Sequence, residues 1–159
     1  MNFYEDMQVG QRREVGAYTF TAESIKTFAA KYDPQRFHLD EEEGRKSLFG
    51  GLAASGWHVG SACMKVLVAH GQRRTKEAHA RGEKVAIWGP SPGFRDLRWI
   101  RPVLAGDTVS FSTLVESKRV SESRPGWGIL QTATHGVNQR GEAVYSVKAT
   151  AFVPMRDAA

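Results

Sequence analysis

An aspartate and a histidine stand five positions apart near the start of the chain, as Asp33 and His38. A carboxylate and an imidazole at this spacing can bind one water molecule and move its protons. Further along, Ser55 and Gly56 open a long apolar segment. A helix beginning at Gly56 would direct backbone N–H donors at an oxygen that gains negative charge. Together these residues predict a proton-transfer site.

The same pair has a simpler interpretation. Asp33 precedes Pro34 and could merely cap a turn, while His38 could pack at the surface. A Gly-rich segment, an apolar helix and a long β region follow the pair, and this combination favours a site. Because an Asp-Pro junction disfavours helix at the aspartate, we expect a turn or loop after it that leaves both side chains free of helical packing. Partial burial should raise the pKa of Asp33 toward neutrality.

The elements that must position these residues follow from periodicity. Residues 13–20 alternate as a strand, and Thr21 then caps a helix that Pro34 ends. Glu41–Lys46 predicts a short exposed helix. The small residues of 49–55 suit a close backbone approach.

Residues 57–69 predict the central helix, with Ser55 as its N-cap. Apolar residues surround it nearly completely, which indicates burial on all sides. On this helix His58 is expected to be a core histidine whose hydrogen bonds are satisfied. The polar, basic stretch 71–82 predicts the exit from the helix and a mobile excursion.

The remainder of the chain is typical of β structure. Short turns separate its strands, so successive strands should pair antiparallel as a meander. The helix should cover the apolar face of the sheet. The predicted strands are residues 84–88, 94–103, 108–120, 128–138 and 142–153.

Composition limits the class of protein. A chain of 159 residues that is 41% hydrophobic and 25% charged predicts one domain over residues 1–159. The single cysteine, Cys63, and the acidic N-terminus favour a reducing cytoplasmic setting, and we expect no membrane contact.

Charge and histidine spacing argue against two other classes. The net charge is +5, but no nucleic-acid-binding motif accompanies it, so we expect no nucleic-acid partner. The five histidines lack the spacing of metal ligands, and no metal is expected.

A buried helix against a curved antiparallel sheet is the α+β hotdog fold, and the chain resembles its MaoC-like dehydratases and (R)-specific enoyl-CoA hydratases. The resemblance lies in the Asp33 to His38 spacing, the helix opening at Ser55-Gly56, and residues 94–109 with their Pro and Gly-Asp turn. Gln35 stands where the family pattern has Asn, and Ser55 replaces a His.

The resemblance implies hydration and dehydration of an enoyl-CoA in fatty acid metabolism. Asp33 would be the base, His38 its partner on one water, and the Gly56 N–H the oxyanion donor. Gln35 and Ser55 would support them. No cofactor is implied beyond the coenzyme A of the substrate.

The resemblance also suggests substrate contacts and assembly. Hotdog proteins commonly pair their sheets, so we expect a homodimer or a higher homo-oligomer. Cationic side chains would bind the coenzyme A phosphates. The candidate substrate-binding residues are Phe37, Leu52, Trp57, Arg73, Arg74 and Lys84.

Two alternatives remain open. A hotdog thioesterase would use the carboxylate to activate water at the thioester carbonyl instead. A non-catalytic acyl-CoA-binding protein is suggested by the departures at Gln35 and Ser55.

Overall fold

The structure is a computed structural model and describes residues 2–156. A short 3-10 helix precedes one strand, four helices and then four more strands. The elements are the 3-10 helix Tyr4–Asp6, β1 Arg12–Thr19, α1 Ala22–Tyr32, α2 Arg36–Leu39, α3 Glu41–Lys46, α4 Gly56–Ala80, β2 Gly93–Trp99, β3 Thr108–Val120, β4 Trp127–Asn138 and β5 Ala143–Pro154.

The five strands form one antiparallel sheet in the order β1-β3-β4-β5-β2. Each of the four pairings contains a register shift, the kind of irregularity that bends a sheet. The predicted meander is confirmed for β3, β4 and β5. It is wrong for β2, which pairs with β5 and not with β3. The chain between β2 and β3 leaves the sheet, and Leu104 in this segment forms an isolated β-bridge with Ala53.

The helix predicted over residues 57–69 extends to Ala80, so the predicted exit at 71–82 is wrong. This segment is rich in Arg, Lys, Glu and Ala, which are strong helix formers. It stops just before Gly82, whose φ of 72° suits the residue after a helix. Residues 84–88, which were predicted as a strand, do not join the sheet. Instead Ala86 is buried, and Trp88 donates its indole N–H to the Asn2 carbonyl.

Helix α4 packs on the sheet through one face only. Its buried residues are His58, Val59, Ala62, Cys63 and Val66, and they share a core with Phe111 and Tyr145. On the opposite face Trp57, Met64 and Val68 are 56%, 59% and 48% exposed. The prediction of burial on all sides is therefore wrong for a single protomer, because the sheet covers one side of the helix.

A long helix packed on one antiparallel sheet confirms the predicted α+β hotdog fold. Within residues 2–156 no helix is both long and apolar enough to span a membrane.

Candidate active site

Asp33 lies at the C-terminal end of α1, where the helix stops because of the following proline. Its backbone N–H makes the last helical bond, to the Ala29 carbonyl at 2.9 Å, and its φ and ψ of −155° and 68° leave the helical region. The side chain is 21% exposed. The aspartate is thus fixed by the helix behind it and turned out of the helix by Pro34.

Both carboxylate oxygens of Asp33 accept hydrogen bonds. The Ser55 hydroxyl donates to Oδ2 at 2.7 Å, and the Gln35 amide donates to Oδ1 at 2.8 Å. Burial raises the pKa of Asp33, but the bonds from Ser55 and Gln35 and the charge of His38 outweigh it, so the pKa lies below its usual 3.8. The expected rise of this pKa is wrong, because the hydrogen bonds stabilise the ionised carboxylate more than burial destabilises it.

His38 lies on the single-turn helix α2 and is buried, with 6% of its side chain exposed. The predicted turn or loop after Asp33 is found at residues 33–35, which lie in no helix, but the prediction that the His38 side chain is free of helical packing is wrong. The chain re-enters a helical turn directly after Gln35, which stands at the N-cap of α2. The imidazole packs against the Phe37 and Phe49 rings, at centroid distances of 4.6 Å and 6.2 Å.

The Ala53 carbonyl fixes the protonation pattern of His38. Nδ1 lies 2.7 Å from this oxygen. Because a carbonyl only accepts, Nδ1 must carry a hydrogen. In the neutral ring the proton-free nitrogen is therefore Nε2, which lies 3.5 Å from Asp33 Oδ2.

The separation of Nε2 and Oδ2 suits a shared water. The direct contact of 3.5 Å is too long for a good hydrogen bond. One oxygen can, however, lie about 2.8 Å from both atoms. Each oxygen of Asp33 uses one of its two acceptor positions on Ser55 or Gln35, so each keeps another. The arrangement can hold a water and accept its proton.

Ser55 connects the aspartate to the start of α4. Its hydroxyl oxygen accepts from the Trp57 backbone N–H at 3.2 Å, as the predicted N-cap, and donates its hydrogen to Asp33. The Gly56 N–H between them donates to no atom of residues 2–156. Gly56 therefore offers a free N–H donor at the positive end of a 25-residue helix. It directly follows Ser55, which donates to the Asp33 carboxylate.

A backbone ladder holds the segment that carries these groups. Ala54 donates to the Val103 carbonyl at 2.8 Å, and Ala105 donates to the Leu52 carbonyl at 2.9 Å. Asp107 stabilises the second strand of this ladder, because its buried carboxylate accepts a hydrogen bond from the Leu104 N–H at 2.9 Å. Asp107 therefore helps to hold the backbone pairing next to Ala53, whose carbonyl contacts His38.

The apolar substrate-binding candidates lie near this segment in different environments. Phe37 is half-buried and lines an open cavity of about 500 Å³ together with Gln35, whereas Leu52 is 4% exposed and belongs to the core. Trp57 is exposed, with its ring edge-on to Trp99 at 5.3 Å. Their contact with a substrate stays a prediction.

The basic candidates lie at the other end of α4. Arg73 follows Gly56 by 17 positions in the sequence. At the rise of an α-helix this places Arg73 about 25 Å further along the helix axis. Arg74 and Lys84 line a separate cavity of about 820 Å³. The structure does not bring these three side chains to Asp33 and His38, so they are candidates only for the distant nucleotide end of coenzyme A.

His58 lies in the core, next to the site. Its ring stacks on Phe28 at 4.7 Å and contacts Tyr18 and Phe20 edge-on. Within residues 2–156 its Nδ1 has no hydrogen-bond partner, so the expectation of a satisfied core histidine is wrong. Burial lowers the pKa of His58 to about 4.

Three groups of this site were not assigned a role from the sequence. The Ala53 carbonyl contacts His38 Nδ1 directly, and the Asp107 carboxylate supports the backbone ladder beside it; side-chain spacing reveals neither contact. Trp99 packs on the backbone of Gly56. In the sequence, only its position shortly before a Pro and a Gly-Asp turn could have indicated this contact. Among the residues described, no cluster of three or more His, Cys, Asp and Glu is arranged to hold a metal ion.

Comparison with known proteins places this geometry in a family. A MaoC-like dehydratase from Rhodospirillum rubrum is 37% identical and superimposes with a TM-score of 0.81, covering 98% of this chain and 99% of that one. The (R)-hydratase PhaJ1 from Pseudomonas aeruginosa shares the fold, with 24% identity and a TM-score of 0.66 over 97% of this chain and 86% of that one.

A curated relative carries a named activity over a shorter match. The mesaconyl-CoA hydratase of Cereibacter sphaeroides is 38% identical over 68 residues, which are 42% of this chain and 19% of that protein. Residues 6–134 match the family described as the MaoC like domain, which is most of the chain. The chain therefore belongs to the MaoC-like domain family.

Proposed function

We propose that this protein catalyses the reversible addition of water across the α,β double bond of an enoyl-CoA thioester. The observation that carries the proposal is the pair Asp33 Oδ2 and His38 Nε2, 3.5 Å apart beside the free Gly56 N–H. Membership of the MaoC-like family supports hydratase chemistry in general. The reaction needs no cofactor besides the coenzyme A of its substrate.

In hydration, the water held by Asp33 and His38 adds its oxygen to the β-carbon. Asp33 accepts the proton released, and His38 orients the water through Nε2. The same proton then passes from Asp33 through Nε2 of His38 to the α-carbon, so both side chains return to their starting state. The thioester oxygen gains negative charge meanwhile, and the Gly56 N–H stabilises it. Because its pKa is low, Asp33 is ionised at neutral pH and ready to accept a proton, although as a relatively weak base.

The proposed assembly is a homodimer that pairs the β2 edges of two sheets. β2 is an edge strand, and Phe94 on it and Ile100 just after it are 62% and 45% exposed. A second copy would pair the open edge and cover these side chains. Light scattering of a Phe94→Glu variant should show a shift toward monomer.

The test of the activity is an assay with crotonyl-CoA, a longer enoyl-CoA and mesaconyl-CoA. Loss of enoyl absorbance reports hydration, and a thiol reagent reports hydrolysis of the thioester in the same sample. Hydration without thiol release is the expected result. Thiol release alone would establish a thioesterase, and ligand binding without either signal would establish a non-catalytic acyl-CoA-binding protein.

The matched variants are Asp33→Asn and Asp96→Asn. Asp33→Asn removes the base and should lower kcat by about 100-fold or more. Asp96 is exposed on β2 with a φ of 53°. Asn also adopts this conformation readily, so Asp96→Asn should leave kcat unchanged. Equal activity of Asp33→Asn and the control would exclude the proposed base.

A further inference from the structure

The indole of Trp99 lies directly on the backbone of Gly56. A Cβ added to Gly56 would lie 2.6 Å from Trp99 Cδ2, 2.7 Å from Nε1 and closer still to Cε2. A side chain at this position would force the indole of Trp99 to move, so glycine suits the start of α4. The five-membered ring of the indole, with its N–H, therefore adjoins the residue whose backbone N–H is free.

The indole N–H of Trp99 is a second donor without an acceptor. Over residues 2–156 no hydrogen bond is found for its Nε1, and none for the Gly56 N–H. The indole of Trp88 shows the usual alternative, since it donates to the Asn2 carbonyl at 2.9 Å. Trp99 is 47% exposed in the single protomer, so part of its indole faces open space.

The two nitrogens are close enough to share one oxygen. A Cβ lies about 2.5 Å from its own backbone nitrogen by standard geometry. Trp99 Nε1 is 2.7 Å from that Cβ position. The two donor nitrogens are therefore at most about 5.2 Å apart. Two donors that each lie about 2.9 Å from a common oxygen can be separated by up to about 5.8 Å.

We infer that Trp99 is a catalytic residue whose Nε1–H, together with the Gly56 N–H, binds the thioester oxygen during hydration. The inference rests on the proposed function and adds a side-chain donor to the backbone donor. The charge that develops on the oxygen is then stabilised by two donors that are already in position.

The surrounding contacts hold the indole in place for this role. The Trp57 ring meets it edge-on at 5.3 Å, and the Trp99 backbone pairs with Tyr145 in β5. Ser55, which precedes Gly56, donates to Asp33 at 2.7 Å, so this hydrogen bond connects the start of α4 to the base. The two donors can therefore bind the thioester oxygen while Asp33 binds the water.

The experiment compares Trp99→Phe with Trp127→Phe on the enoyl-CoA that the wild type hydrates best. Trp99→Phe keeps an aromatic ring on Gly56 but removes the N–H. Its kcat should fall at least about tenfold, toward the roughly 100-fold loss typical of a missing oxyanion donor, with KM changed less than about threefold. Trp127, on β4, is outside the site, so its variant should keep kcat close to that of the wild type.

The outcomes separate this inference from the proposed function. A wild type that hydrates none of the three thioesters overturns both. An active wild type with an unchanged kcat in Trp99→Phe, or with a change in KM alone, overturns only the role of Trp99. If Trp99→Phe does not fold, a benzothiophene analogue of tryptophan at position 99, with sulfur in place of the N–H, decides by the same kcat criterion.

Discussion

His58→Phe should make the protein more resistant to acid. The imidazole of His58 is 6% exposed and stacks on Phe28, and its Nδ1 has no partner among residues 2–156. Phenylalanine keeps a flat ring against Phe28 and removes the group that would have to be protonated inside the core. The variant should be no less stable than the wild type at pH 7, because an unpartnered buried polar atom is lost.

The magnitude follows from the pKa of His58. Burial lowers it from 6.5 to about 4, so the unfolded chain takes up a proton that the folded protein resists. This contribution to stability is complete above pH 6.5 and is lost as the pH falls toward 4. Linkage gives a loss of about 2 kcal/mol between pH 7 and pH 5, and about 3 kcal/mol at pH 4.

The assay is urea unfolding at pH 7, 6, 5 and 4.5, at one protein concentration because assembly also contributes to stability. The difference in unfolding free energy between His58→Phe and wild type should grow by about 2 kcal/mol from pH 7 to pH 5 in favour of the variant. His79→Gln, which removes an exposed imidazole, is the control and should parallel the wild type. Parallel curves for His58→Phe would refute the reasoning, since the folded protein would then accept the proton freely.

Three further substitutions test the site. Ser55→Ala removes a hydrogen bond that lowers the pKa of Asp33, so the acidic limb of the kcat/KM profile should move to higher pH. Loss of the α4 cap in the same variant should cost about 1 kcal/mol by urea unfolding. Gly56→Ala places a Cβ against the indole of Trp99, so tryptophan fluorescence should change and kcat should fall; an unchanged spectrum would contradict the contact. Asp107→Ala leaves the Leu104 N–H without its acceptor, and kcat should fall if His38 depends on this ladder. That variant should be destabilised by about 1–3 kcal/mol, and an unchanged kcat would argue against the link.

Local rules predicted the elements around the site well. Thr21 and Ser55 cap α1 and α4 as predicted, because a hydroxyl before an apolar helical repeat has one favoured use. The strand Thr108–Val120 has the predicted limits, and the helix Glu41–Lys46 does too. These features depend on residues close together in the sequence, so rules of capping and local propensity are enough to predict them.

Distant contacts decided the rest. The pairing of β2 with β5 depends on the loop that bridges Ala53, and no local pattern specifies it. The low pKa of Asp33 depends on Ser55, which is 22 positions away in the sequence. The sequence thus indicated Asp33 and His38 as a pair, and their side chains do lie 3.5 Å apart, but it did not indicate the hydrogen bonds that surround them.

Helix α4 is held unevenly along its length. All of its buried residues lie between His58 and Val66, and none follows from Leu67 to Ala80. The first half is therefore part of the cooperative core, whereas the second half depends mainly on its own backbone bonds and can open locally at low cost. Amide hydrogens should exchange slowly over the buried stretch from Val59 to Val66 and much faster beyond Ala69. The helix thus combines a rigid end next to Asp33 and His38 with an adaptable end at Arg73 and Arg74.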